Sequence, residues 1–282
     1  ILILGPEILL IAYALVCILV ASYLKNDKTN NFIFLSTVII FLITALILYL
    51  TPFEIKSEID GIFVRDSFSK FFQIMILFSV SFLLFISKLY LKKNKLLKIE
   101  FPILILFSTL GMMIMISSNN FLLLYLGLEI QSLSLYVIAS FRRDNLKSTE
   151  AGLKYFILGS LSSGLMLFGI SLIYGSTGSI NFEIISSSLN NDGFYPGIIA
   201  GLVFLISGFA FKASAVPFHM WTPDVYEGSP TPVTAFFATV PKVAAVAVLL
   251  RVLFDCFGQL VESWQQVIII ISILSMLLGS VA

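Results

Sequence analysis

The chain has 282 residues, of which 59% are hydrophobic and 12% charged, with a formal net charge of +1. Soluble domains run nearer half apolar and a quarter charged, so this composition excludes an ordinary soluble protein, and the near-neutral balance excludes bulk attraction to nucleic acid. Cys17 and Cys256 make no CxxC and no metal-ligand spacing, which leaves a disulfide framework or an iron–sulfur site without support.

An apolar run of about 20 residues can cross a bilayer as a helix. Nine such runs occur, at 3–24, 32–52, 70–91, 99–117, 120–141, 150–175, 197–220, 231–254 and 264–282. They are too long for barrel strands and lack strand alternation, so the expected fold is an all-α polytopic membrane protein with about nine spans. The first run has no basic leader and spanning length, unlike a cleavable signal. Glu7, near its outer end, reads as interfacial. Basic residues set orientation. The loops after runs one, three and five carry Lys25, Lys28, Lys88, Lys92, Lys93, Lys95, Lys98, Arg142, Arg143 and Lys147. The opposite loops carry only Lys56, Arg65, Lys70 and Arg251. This asymmetry places the N-terminus outside and the basic loops inside, together with the loop between runs seven and eight.

Glu129 stands about nine residues into the fifth run. In the sixth, Glu150 and Lys154 are spaced for an i,i+4 pair, with the mouth of a proton path as the other reading of Lys154. Gly159, Ser160, Ser163 and Gly164 favour close helix packing. GSTGS at 175–179 is a loop after a helix rather than a phosphate cradle. Lys212 falls within the seventh run and Lys242 near the middle of the eighth. At 1.5 Å per residue, Glu129 and Lys242 lie roughly 15 Å from either membrane surface, beyond the reach of a lysine stem. Ionised groups at that depth are costly and mark ion or proton paths; a structural ion pair is the plainer reading, but one carboxylate cannot neutralise two lysines. Burial and a nearby opposite charge act against each other on such groups, so a Glu–Lys pair that tightens or loosens is a protonation switch. Pro217 is expected to break the seventh helix near residue 213, beside Lys212, and Pro241 to distort the eighth beside Lys242. His219, the single histidine, reads as a proton relay or an interfacial group. Asp224 and Glu227 read as solvated at the surface, and Thr231–Pro232 as N-cap and first helical residue. The ninth run is still apolar at Ala282, as if the chain continued in a longer protein or a second chain completed it.

The stretches LEIQSLSLYVIASFRRDNLKSTEAGLKYFILGSLSSGLMLFGISLIYGSTG and FKASAVPFHMWTPDVYEGSPTPVTAFFATVPKVAAV closely resemble the antiporter-like membrane subunits of respiratory complex I, NADH:ubiquinone oxidoreductase, and subunit 2 in particular. The resemblance is strong over 120–250 and looser over the first three runs, where GPEILLI is similar to the family's start. It implies fourteen-helix subunits with two inverted five-helix repeats. On that map residues 1–98 are an N-terminal three-helix segment, 99–254 one complete repeat, and 255–282 the start of the second. The family's acidic residue falls on Glu129 and its two lysines on Lys212 and Lys242. The second repeat, with its own lysine, is not within these residues. The resemblance further implies proton translocation driven by redox chemistry elsewhere, with no cofactor bound by this chain. The implied partners are other complex I membrane subunits, neighbouring antiporter-like subunits among them, a second chain supplying the remaining helices, and membrane lipids. The membrane is the mitochondrial inner membrane or, alternatively, a bacterial plasma membrane. A cation/proton antiporter subunit and a structural spacer are the competing readings.

Overall fold

The computed structural model describes residues 4–23, 26–51, 57–59, 61–191 and 196–281. Lys25 and Lys56, used above for orientation, lie outside them. The spans are α1 (Gly5–Tyr23), α2 (Asp27–Leu50), α3 (Ser67–Lys93), α4 (Glu100–Ile116), α5 (Phe121–Ala139), α6 (Leu146–Thr177), α8 (Pro196–Ala213), α10 (Thr231–Arg251) and α11 (Val261–Val281). Each corresponds to one of the nine apolar runs. Short helices α7 (Phe182–Asn191) and α9 (Thr222–Gly228), and an antiparallel hairpin of β1 (Ser57–Ile59) and β2 (Phe63–Arg65), lie between them. The hairpin is an addition to the all-helical expectation.

Local chemistry starts and stops these helices. Asp66 accepts from Ser69 N at 2.8 Å while Ser69 Oγ accepts from Asp66 N at 3.0 Å, a reciprocal cap for α3. Asn120 caps α5 and Asn145 caps α6. Gly178, at φ 70°, ends α6 in the left-handed conformation that glycine adopts without strain. Thr231 does not cap α10: Pro230 holds that position, and the Thr231 hydroxyl turns to Tyr90 instead.

In hydrocarbon, helices gain little by hiding apolar surface from lipid, so close packing holds them together. The short α4 is the most enclosed helix and packs chiefly on α5. Their backbones meet at Gly111 and Gly127: a Cβ on Gly111 would lie 2.5 Å from Gly127 O, and one on Gly127 would lie 2.8 Å from Gly111 O. Gly169 and Gly201 do the same for α6 and α8, at 2.7 Å each way. Of the small residues singled out on α6, Gly159 packs under the Tyr136 hydroxyl, whereas Gly164 meets nothing within 4 Å and Ser160 is exposed.

The loops sort into two ends. At one, Asn30 donates to Leu97 O, Arg142 to Asn94, and Lys147 pairs with Glu227. The loops after α1, α3 and α5 therefore gather with the α9 loop, as the crossing parity requires. At the other end, the hairpin, residues 117–120 and Asn181 interlock through backbone bonds and the Asn181 side chain, and Gln259 of the α10–α11 junction donates to Ser186 O.

Several expectations change here. Glu7 is buried, not interfacial: Arg65 Nη2 contacts both its carboxylate oxygens at 2.6 Å, and Gln73 donates to it at 3.3 Å. Arg65 comes from the hairpin, so nothing local to Glu7 announces the pair. Arg251 likewise forms an ion pair, with Asp66 at 2.6 Å. Burial pushes the Asp66 carboxyl up, but the Arg251 charge and the Ser69 bonds outweigh it and hold it below the ordinary carboxylate range. Pro241 lies inside α10, which stays helical to Arg251 before a π-helical turn over Val252–Cys256.

Candidate functional site

The seventh apolar run is helical only to Ala213. Ser214 adopts φ 60°, and a loop leads to α9. The break thus falls where Pro217 placed it, although the helix does not resume through residue 220. Such an opening frees backbone groups that must be met inside the protein. Trp221 Nε1 donates to Phe211 O at 3.1 Å, and Ala215 N to Ala210 O at 2.8 Å. Val216 N donates to Ser275 Oγ of α11 at 3.0 Å.

Lys212 sits on the last turn of α8, 8% exposed. Its ammonium donates to Ser132 Oγ at 2.8 Å and to Tyr136 OH at 3.5 Å, and lies 5.8 Å from the Tyr136 ring centroid. Glu129, one turn before Ser132 on α5, is within electrostatic reach of Lys212, yet no direct ion pair joins them. Glu129 Oε1 is buried without a hydrogen-bond partner among the described residues. The expected Glu–Lys pair is therefore not a direct one: the Lys212 ammonium is held by the neutral hydroxyls of Ser132 and Tyr136, on the same helix as Glu129. Sequence reasoning missed Ser132 and Tyr136, although their spacing of three and seven residues from Glu129 puts all three on one helix face.

Lys242 lies near the middle of α10, half-buried, with Nζ 5.5 Å from the centroid of the Tyr226 ring. Cations over aromatic faces are attracted by the ring quadrupole. Between the lysines runs an aromatic series. Tyr136 meets Tyr155 edge-on at 4.9 Å, Tyr155 stacks on Trp221 at 4.5 Å, and Trp221 meets Tyr226 edge-on at 6.2 Å. His219 is half-buried, and its Nδ1 has no partner among the described residues. Tyr226 belongs to the loop end of the site; burial pushes its phenol up, with the Ser214 hydroxyl opposing.

Lys154 stands apart from this interior group. It pairs with Glu150 at 2.8 Å, as the spacing indicated, and with Asp224 at 2.6 Å. Together with Lys147 and Glu227 these residues line a small open pocket at the loop end. Asp224 and Glu227 are exposed there.

The arrangement places Glu129, Lys212 and Lys242 on three helices around one helix break, with hydroxyls and rings as their nearest neighbours. A carboxylate, ammonium groups and hydroxyls are groups able to donate and accept protons. A family model described as the transmembrane part of NADH:quinone oxidoreductase and Mrp antiporter subunits matches residues 118–282, more than half the chain. The NADH-quinone oxidoreductase subunit N of Jannaschia sp. strain CCS1 is 48% identical over 280 residues, covering 99% of this chain and 58% of the relative. A chain of respiratory complex I from Thermus thermophilus superposes with a TM-score of 0.74 at 33% identity, over 87% of this chain and 52% of that one. A chain of the Mrp complex from Dietzia sp. DQ12-45-1b shares the fold, with a TM-score of 0.73 at 18% identity, over 90% and 49% of the two chains. The chain thus spans a little over half the length of the relatives it matches, and it belongs to the family of antiporter-like membrane subunits of NADH:quinone oxidoreductase and Mrp antiporters.

Proposed function

We propose that this chain is the proton-translocating part of a subunit N-type membrane-arm subunit of complex I, driven by electron transfer from NADH to quinone in other subunits. The observation that carries this is Lys212: a buried ammonium at the end of a broken helix, bonded to the neutral Ser132 and Tyr136 rather than to an acid. A lysine fixed in an ion pair keeps its proton. One held by hydroxyls, with Glu129 close by but unpaired, changes protonation when the carboxylate approaches or withdraws. Lys242 is the next acceptor, and His219 an auxiliary one toward the loop end. Lys154 serves the surface network instead.

No redox cofactor is assigned to this chain; the electron carriers belong to its partners, which we take to be the other membrane subunits of the complex. The remaining helices of the relatives' fold come either from residues beyond these or from a second chain. The relatives named are bacterial, which favours a bacterial plasma membrane over the mitochondrial inner membrane. The family model also spans Mrp antiporter subunits, so an antiporter working without redox coupling is the second reading. Co-purification with flavin- and cluster-bearing subunits separates the two.

The test is Lys242→Ala in the assembled complex. Redox-driven proton uptake into vesicles should be abolished or sharply reduced while the complex stays intact. Unchanged uptake with intact assembly would turn the site into a structural spacer.

A further inference from the structure

Four buried polar atoms in the stretch that follows the broken helix make no close hydrogen bond among the described residues: Ser214 Oγ, His219 Nδ1, Thr222 Oγ1 and Tyr226 OH. They fall within one loop and the short α9. Buried polar atoms in folded proteins are almost always bonded, to protein or to ordered water. Of the four, the Ser214 and Tyr226 hydroxyls are neighbours, a polar seam beside the aromatic series.

Tyr226 is the member of this seam that touches both sides. Its ring face lies under the Lys242 ammonium, it meets Trp221 edge-on, and Trp221 donates to Phe211 O, next to Lys212 on α8. We infer that Tyr226 is a proton-relay residue between the broken helix and Lys242. This deepens the proton-path reading and rests on it. The phenol oxygen accepts a proton from one side, directly or through water, as its own proton leaves toward the other. Tyrosine ends as it began, no carbon bond changes, and no electron moves.

The plainer reading is a core tyrosine supplying a ring for Lys242 to rest on. A phenylalanine offers the same ring face, and the chain uses 27 of them. The hydroxyl is what needs an explanation: its neighbour is the Ser214 hydroxyl, neither makes a close bond to a further group among the described residues, and phenylalanine would avoid the cost of burying it. Burial also keeps the phenol protonated, as a neutral relay requires.

The experiment uses the assembled complex in sealed vesicles and compares Tyr226→Phe, Tyr226→His and Lys242→Ala, with proton uptake measured against electron-transfer rate. Tyr226→Phe keeps the ring and should lower uptake at least about tenfold. Tyr226→His, a poorer fit but able to exchange a proton, should recover part of it. A packing role predicts the reverse order, so uptake higher in the Phe variant than in the His variant overturns the relay. Normal uptake in Tyr226→Phe with lost uptake in Lys242→Ala also overturns the relay and leaves the wider reading standing. Normal uptake in Lys242→Ala overturns that wider reading itself. If Tyr226→Phe does not assemble, Ser214→Ala probes the same seam, and normal uptake there refutes it.

Discussion

At the scale of single residues, the charges buried in this chain divide into two kinds. Glu7 and Arg65 are each 4% exposed at the side chain and bound to one another at 2.6 Å. A buried pair of this sort is fixed by geometry, and breaking it leaves a naked charge. Replacing Glu7 by Ala should therefore destabilise the fold by about 3–5 kcal/mol, read as a fall in melting temperature in detergent. Removing both partners should recover part of that loss; a double variant no better than Glu7→Ala would show that the pair is not what matters. Lys212 is the other kind. Its partners are hydroxyls, its nearest acid is unpaired, and its charge is held by a balance rather than by a bond.

At the scale of elements, two glycine contacts set how the helices pass. Gly111 and Gly127 let α4 and α5 touch backbone to backbone, and at about 100° per residue this turns the face carrying Glu129, Ser132 and Tyr136 away from α4, toward Lys212 of α8. A methyl group at Gly111 has backbone on its far side and nowhere to go. Gly111→Ala should cost about 1–3 kcal/mol by overpacking. Gly164→Ala, where nothing lies within 4 Å, should be neutral or slightly stabilising through helix propensity. Equal melting temperatures for the two variants would refute this account. The break in α8 is likewise an element-scale device. Trp221 and Ser275 hold it from two directions, one from its own loop and one from α11.

At the scale of the whole molecule, the two ends differ in charge and in construction. The end bearing Lys95, Arg143 and Lys147 is exposed and polar, while the opposite end ties its arginines into ion pairs. That difference strengthens the orientation argument, since Arg65 and Arg251 no longer count as free loop charges. Lys95→Cys and Arg143→Cys should react with a membrane-impermeant thiol reagent only from the inner face of the membrane, and Ser187→Cys only from the outer. The native Cys17 and Cys256 are buried and stay silent. Labelling from the reversed sides would invert the topology and the direction of the proposed proton path.

How much of this could be read without coordinates follows from range. Spans, their number, the parity of the loops and the break at Lys212 depend on composition over about 20 residues or on one proline, and such signals are local. The candidacy of Glu129, Lys212 and Lys242 was legible for the same reason: a charge inside an apolar run is conspicuous wherever it stands. Pro241 shows the limit of local rules, because α10 remains helical through it to Arg251. Glu7 shows another, since depth along a helix says nothing about an arginine 58 residues away. Folding alone placed Ser132 and Tyr136, rather than Glu129, against Lys212, and set Tyr226 beneath Lys242. Contacts between helices depend on which faces turn together, and in a chain apolar on nearly every face the hydrophobic pattern does not specify that rotation. Backbone approach at the glycine pairs does.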